Sequence, residues 1–397
     1  MAGALDGCRV LDFTRVLSGP WCTMLLSDLG AEIVKVEEPG KGDISREYGP
    51  PYVAGESVYF MANNRGKLGI TLNLKHPRAL ELMRSLVAKV DVVIHNFLRG
   101  WVYRAGLDYD SLKAINPKLV YCWLSAYGED GPYREKGALD LMVMGLGGAM
   151  SVTGQPGGPP IKSSISYGDI LSGYSAALGI VAALRVRDRT GAGQQVSTNL
   201  LDSAMAPLGA LACSYFATGN VPGRTAPDSH PSLSTSGAFP TRDGYMNISA
   251  TTDRDFPKLC GALGLEHLAE DPEFATNPDR VRNRKQLRET IEGVLATRTT
   301  GEWVAILNDH QVLAEPVNNV KDAFAHPQVV HNQMKQTVQH PTAGPLNVLR
   351  MPLRMSETPL TLQGPPPLLG EHTREVLARY LDIGDEEYAE LLQEGVV

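Results

Sequence analysis

Positive charge is in short supply in this chain of 397 residues: 37 Lys and Arg stand against 44 Asp and Glu, a net of −7. That balance argues against a nucleic-acid partner, which asks for a basic face. Cysteine is equally sparse. Cys8, Cys22, Cys122, Cys213 and Cys260 are odd in number, widely spread and form no Cys-x-x-Cys pair. They exclude a disulfide framework or a zinc knuckle and point to reduced thiols in the cytoplasm. Residues 1–9 reach Asp6 and Arg9 without an apolar run, so no signal peptide is expected. The one long uncharged stretch, 203–223, is broken by Pro207, Gly209 and Pro222. It reads as a buried helix leading into a linker rather than as a membrane span. Also missing are Gly-x-Gly-x-x-Gly after the first strand, a P-loop and His-Glu-x-x-His, which removes the main support for nicotinamide, nucleotide-hydrolysing and zinc-peptidase readings. No two histidines stand four residues apart with a third ligand, so no metal is expected.

What is present describes a globular protein, 43% apolar and 20% charged. A single core rarely grows past ~250–300 residues, so two domains are expected. The 40 glycines and 27 prolines exceed the usual ~12% for the pair and imply many tight turns. Residues 8–13 read as a strand, Ser18-Gly19-Pro20 opens a helix with Ser18 or Gly19 as its cap, Gly30 stops it, and 32–37 is a second strand. The pattern repeats with strands at 69–73, 91–96 and 118–123. Between them lies a helix from His76-Pro77 whose apolar positions, Ala79, Leu82, Met83, Leu86, Val87 and Val90, keep to one face. Strands alternating with helices imply an α/β, doubly wound, mostly parallel sheet. Residues 138–150 read as a buried helix, and a long apolar helix begins at Asp169. A linker follows at 201–236, then a smaller α+β domain over 237–325 with a strand at 244–249 and helices at 255–263, 283–296 and 300–310. Residues 338–368 look extended, and a helix pair at 371–381 and 385–394 closes the chain.

Asp169 is the most informative residue, the only acid between Asp140 and Asp188. It is either a plain helix cap or a carboxylate nucleophile, with Gly168 turning the chain and nearby amides stabilising charge that develops in acyl transfer. Arg15, Lys75, Arg99 and Arg104 each follow a predicted strand. In a parallel sheet those loops share the carboxyl edge, where an anion with several phosphates would bind, although solvated surface is the usual place for such charges. Glu37 imitates a ribose-binding acid but lacks the glycine fingerprint. Trp21, Tyr48, Tyr59 and Tyr167 wall a small pocket or pack in the core.

In order along the chain stand Val10-Leu-Asp-Phe-Thr, Ser18-Gly-Pro, Leu29-Gly-Ala-Glu-Ile-Val-Lys-Val-Glu, Pro39-Gly-Lys-Gly-Asp43, Asn96-Phe97 and Ile115-Asn-Pro. Tyr127-Gly128, Gly131-Pro-Tyr, Gly168-Asp169, Thr190-Gly-Ala-Gly-Gln194 and Leu368-Leu-Gly-Glu-His-Thr373 complete the set. Through this ordered set, nearly end to end, the sequence resembles class III coenzyme A transferases of the CaiB/BaiF type, the family of formyl-CoA:oxalate and carnitine CoA-transferases.

The resemblance implies a large Rossmann-like CoA-binding domain from residues 1–200 completed by 330–397, a small domain, and two chains interlocked in a homodimer. It implies that Asp169 attacks an acyl-CoA thioester, giving a mixed anhydride and then an aspartyl-CoA thioester. Only a carboxylate forms both, and Glu would displace the carbonyl by a methylene. It assigns coenzyme A to Val16, Leu17, Leu72, Asn73, Leu74, Lys75, Asn96, Phe97, Leu98, Arg99, Arg104, Lys136, Gly137, Ala138 and Leu139, and the carboxylate substrate to Tyr48, Tyr59, Asp140 and Tyr167. Leu17 stands where the formyl-CoA enzymes carry Gln. Glu38 stands where many members carry Arg, and Phe97-Leu98-Arg99 replaces the usual Phe-Arg-Pro pattern, so that Arg99 is expected to supply the missing charge. Residues 246–253 lack the glycine-rich substrate loop, which separates the chain from an oxalate-specific role.

Two other functions share this fold: an acyl-CoA racemase, whose acid/base His would fall at Leu139, and a non-catalytic CoA-binding subunit, against which Asp169 speaks. The expected reaction moves CoA to a small carboxylic acid, with a dicarboxylate acceptor and succinyl-CoA as donor favoured by Arg46 and Arg65 as local cations near the pocket.

Overall fold

The computed structural model describes residues 3–225 and 227–397; the expectation for the extreme N-terminus falls in part on Met1 and Ala2, outside them. The chain divides into two compact units, one of Met1–Gly147, Ser163–Gly209 and Val330–Val397, the other of Gly148–Lys162 and Ala210–Val329.

The first unit is built on six parallel strands: β1 (Arg9–Asp12), β2 (Glu32–Glu37), β3 (Lys67–Thr71), β4 (Val92–His95), β5 (Val120–Ser125) and β6 (Gln195–Asn199). Their order is β3-β2-β1-β4-β5-β6. Val10 pairs with Ile33 on one side and Val92 on the other, so the strand order reverses at β1, and crevices for ligands open at that switch point. The strands are short apolar runs because both faces are covered. One face packs against α2 (Pro77–Val87), whose Ala79, Leu82, Met83, Leu86 and Val87 are buried as their spacing requires. The other packs against α1 (Ser18–Asp28) and a 24-residue helix over Tyr167–Thr190, burying Cys22, Leu25, Leu26, Ala176, Ile180 and Leu184.

The C-terminal segment protects the sheet's edge. Thr71 N–H donates to Thr373 Oγ1 (3.0 Å), Asn73 N–H to the Val396 carbonyl (2.8 Å), and Val376, Leu377, Leu391 and Val396 are buried. An edge strand so covered offers nothing to a foreign strand.

Several expectations are corrected. The helix expected over 138–150 is α4, Asp140–Leu146, and only Asp140, Val143 and Met144 are buried; Leu141, Met142 and Leu146 are exposed. The uncharged stretch after 200 breaks at Pro207 and Gly209, but its helix Gly209–Thr218 buries no residue and Phe216 is 78% exposed. Apolar content alone cannot say whether a covering surface exists within the chain. Part of the stretch 338–368, expected to be extended, is paired: Lys335–His340 and Gly344–Leu349 form a β-hairpin. In the second unit, the expected strand Tyr245–Ser249 is the centre of a three-stranded antiparallel sheet, flanked by Ser236–Pro240 and Leu313–Pro316. Helices Phe256–Leu263, Arg284–Leu295 and Thr300–Asp309 bury Leu259, Leu287, Ile291, Leu295 and Trp303 around it.

Candidate active site

A cavity of about 660 Å³ opens at the carboxyl edge of the sheet, within the range of small-molecule sites. Every strand of the sheet contributes. The loop after β1 brings Arg15, Val16, Leu17 and Ser18; β2 ends in Val36 and Glu37, with Glu38 just beyond; Leu72–Lys75 follow β3 and Asn96–Leu98 follow β4. Arg99, Trp101 and Arg104 come from α3 (Arg99–Ala105), a helix the sequence reading missed. Trp123–Ala126, Gly128, Arg134 and Lys136–Leu139 come from β5 and the segment behind it, with Leu200 beyond β6. Asp169 completes the wall. All fifteen residues expected at coenzyme A line this one cavity with Asp169, whereas Tyr48, Tyr59, Asp140 and Tyr167 do not.

Asp169 is the third residue of α5 (Tyr167–Thr190), within its first turn, and Ser166 holds the cap position. The plain-cap reading of Asp169 therefore fails. The cap comes from another helix: buried Asp140 accepts the amides of Gly168 (2.9 Å) and Asp169 (3.3 Å). Those two amides are thus engaged, and the expectation that they stabilise transferred charge is corrected. Gly168 is helical rather than turning. A Cβ there would lie 2.9 Å from Asp140 Oδ1 and 3.3 Å from Val143 Cγ2, so the glycine lets α4 and α5 approach. Ser172 Oγ donates to the Asp169 carbonyl (2.8 Å), leaving the Ser18 hydroxyl to donate to Ser172 Oγ (2.8 Å). Tyr59, edge-on to Tyr48 at 5.3 Å, has its hydroxyl pKa pushed up first by burial and then by the Asp169 carboxylate.

The cations of the cavity differ in their commitments. Lys75 reaches Glu38 at 2.9 Å; Arg99 stands 3.8 Å from Glu135 and donates to the Glu129 carbonyl. Arg15 lies over the Phe97 ring and Lys136 over Tyr133. Arg15, Arg104 and Lys136 show no ion pair among the described residues, which leaves them open to an anionic ligand. Glu37 does not act as a ribose acid, because Arg46 grips both its oxygens at 2.8 Å. Arg46 thus stands behind the lining residue Glu37 as its ion-pair partner, not as a cation open to substrate, and Arg65 likewise is buried against Asp28. Trp21 packs edge-on to Tyr174 outside the cavity.

Beneath the cavity lies a buried charge network. Asp12 accepts from Thr14, Thr23 and Lys67, and Asp43 from Lys35 Nζ at 3.0 Å. Burial pushes the Asp12 carboxyl up, but Lys67, Lys35 and the threonine hydroxyls outweigh it and hold it below the usual carboxylate range. Asp43 behaves alike, with Lys35 and the amides of Ser45 and Val16 overcoming burial. Burial brings Lys67 down to about 8 despite Asp12.

Among the described residues no histidine lines the cavity, and His95 beneath it is buried, its imidazole driven down to about 3 by burial alone. Burial raises the Cys8 thiol to about 12 and Cys260 to about 11, so neither is a nucleophile. Among the described residues no cluster of His, Cys, Asp and Glu has the makings of a metal site.

The sequence profile described as CoA-transferase family III matches residues 5–373. The chain belongs to that family. This CoA-transferase is similar to succinyl-CoA:glutarate CoA-transferase of Mus musculus, 37% identical over 99% of this chain and 90% of that protein. It is also similar to succinyl-CoA:mesaconate CoA-transferase of Haloarcula hispanica, 38% identical over 94% and 96% of the two chains. A crystal structure of a CaiB/BaiF family protein from Brucella suis superposes with a TM-score of 0.87 at 39% identity, covering 96% of this chain and all of that one. CoA thioesters are thus the substrates of this transferase. Lining residues missed in the sequence, Trp123–Ala126 and Arg134, lie at the carboxyl end of β5 and beyond it, and the carboxyl-edge rule applied to every strand would have named them.

Proposed function

We propose that this transferase moves CoA from succinyl-CoA to a small dicarboxylic acid through covalent intermediates on Asp169. The Asp169 carboxylate attacks the thioester carbonyl; the C–S bond breaks, CoA leaves as thiolate, and a mixed anhydride joins Asp169 to succinate. The thiolate then attacks the aspartyl carbonyl and expels succinate, leaving an aspartyl-CoA thioester. The acceptor carboxylate runs both steps in reverse, so each bond broken is matched by one formed and no net proton moves.

The observation that carries the reading is the cavity itself: Asp169 shares one wall with the phosphate-compatible cations Arg15, Arg104 and Lys136. A racemase needs a second base, and Leu139 together with the absence of lining histidines supplies none. The dicarboxylate rests on the glutarate and mesaconate enzymes it resembles. A panel of acyl-CoA donors and acids, with thioesters read by mass, tests it. Succinyl-CoA with glutarate-sized diacids is expected to turn over fastest, and a preference for monocarboxylates contradicts the proposal. Asp169→Ala is expected to lower kcat at least ~10³-fold, ~4 kcal/mol of barrier.

The working form is proposed to be a homodimer of interlocked chains. The uncovered apolar side chains Leu178, Phe216 and Val221, 73–81% exposed, support it.

A further inference from the structure

The loop that enters the cavity after β1 holds a residue in an unfavourable backbone conformation. Val16 has φ +71°, a left-handed value that a β-branched residue rarely adopts. Such a conformation persists only where its surroundings enforce it. Here the enforcement is a buried ion pair outside the cavity lining. Asp43, 1% exposed, accepts the Val16 amide on both oxygens, at 3.1 and 3.2 Å. Lys35, fully buried, holds Asp43 at 3.0 Å and donates to the Thr14 carbonyl at 2.9 Å. One charge pair thus grips the loop on either side of Arg15. Two residues on, Ser18 bonds Ser172, which bonds the Asp169 carbonyl.

We propose that Asp43, backed by Lys35, is a positioning residue for CoA transfer. It keeps Val16 left-handed so that the Val16–Ser18 wall stands in register with Asp169, and it does so without touching substrate. The proposal rests on the Asp169 reading above. Arg15, Val16 and Leu17 stand on the clamped loop, whereas the rest of the coenzyme A wall, including Asn73, Arg104 and Lys136, stands on other loops, so loss of the clamp is expected to fall more on kcat than on donor KM.

Asp43→Asn is expected to lower kcat about tenfold or more, the size of one lost charge-assisted hydrogen bond, with donor KM within about threefold. Glycine adopts positive φ without strain, so in a Val16→Gly background the same Asp43→Asn change is expected to lower kcat less than about threefold. Asparagine leaves Lys35 buried without its carboxylate partner; if that protein does not fold, Lys35→Met with Asp43→Asn removes both charges and is expected to show the same losses. Hydrogen exchange on the unmodified protein gives a second reading, with the Val16 amide protected well beyond its exposed neighbours. A wild-type kcat for a folded Asp43→Asn enzyme, an equal loss in both backgrounds, or a fast-exchanging Val16 amide would each overturn the proposal. Asp169→Ala is assayed alongside: if it transfers CoA as fast as wild type, the nucleophile reading fails, while the comparison of backgrounds and the Val16 amide still judge the clamp.

Discussion

Arg46 shows how a side chain's meaning changes once its neighbours are known. In the sequence it is a cation near predicted substrate residues. In the structure it is largely buried over the Phe60 ring, gripping Glu37 and reaching Glu56 at 3.4 Å. Removing one partner of such a pair leaves the other charge stranded, at about 3–5 kcal/mol. Arg46→Ala is therefore expected to lower the melting temperature clearly while leaving the acceptor KM of the folded enzyme within about twofold. A large, selective rise in dicarboxylate KM would return Arg46 to the substrate. Asp169 and the fifteen cavity residues were named from motif order, since short signatures such as Gly168-Asp169 fix their own position in the chain. The roles of Arg46, Arg65 and Asp140 were not legible, because each depends on a partner remote in sequence: Glu37 and Glu56, Asp28, and the amides at 168–169.

Among the elements, those with strong internal pattern were the ones read correctly. The β-branched runs of β2 and β4 and the one-sided apolar face of α2 carry their own periodicity. Ser236–Pro240 and Leu313–Pro316 contain Gly, Ala and Pro, poor strand formers, and become strands because each pairs with Tyr245–Ser249. Helix α3 is only seven residues long with Gly100 inside it, and its clearest signal, the left-handed Gly106 behind it, is a single residue. The crossing of α1 and α5 depends on Gly173, where a Cβ would stand 2.7 Å from the Ser18 carbonyl and 3.1 Å from the Trp21 ring. Gly173→Ala is expected to destabilise the fold by about 1–3 kcal/mol in chemical denaturation, and to lower kcat through the Ser18–Ser172 link. Unchanged stability would mean that the two helices are less closely held than these distances require.

On the scale of the whole molecule, a net charge of −7 conceals a cavity edge rich in cations and a buried set of pairs beneath it. Asp12 and Asp43 have folded pKa values below the ordinary carboxylate value. The unfolded chain therefore takes up protons first, and the stability these carboxylates contribute is complete above the ordinary value and lost as pH falls below it. The melting temperature is expected to drop on acidification below about pH 4, less steeply in the Lys35→Met, Asp43→Asn protein. Parallel curves would place the acid sensitivity elsewhere. Light scattering is expected to give the mass of two chains, and Phe216→Ser to weaken that association; a single-chain mass at micromolar concentration would contradict the homodimer.

The central claim is that Asp169 becomes covalently linked to the acyl group and to coenzyme A during turnover. Its most direct test is to mix the enzyme with succinyl-CoA without acceptor, quench with hydroxylamine, and map the modified residue by peptide mass. An aspartyl hydroxamate at Asp169, absent without donor and absent in Asp169→Asn, is the result expected. Full transfer activity with that peptide unmodified, or a mark on any other residue, would contradict it.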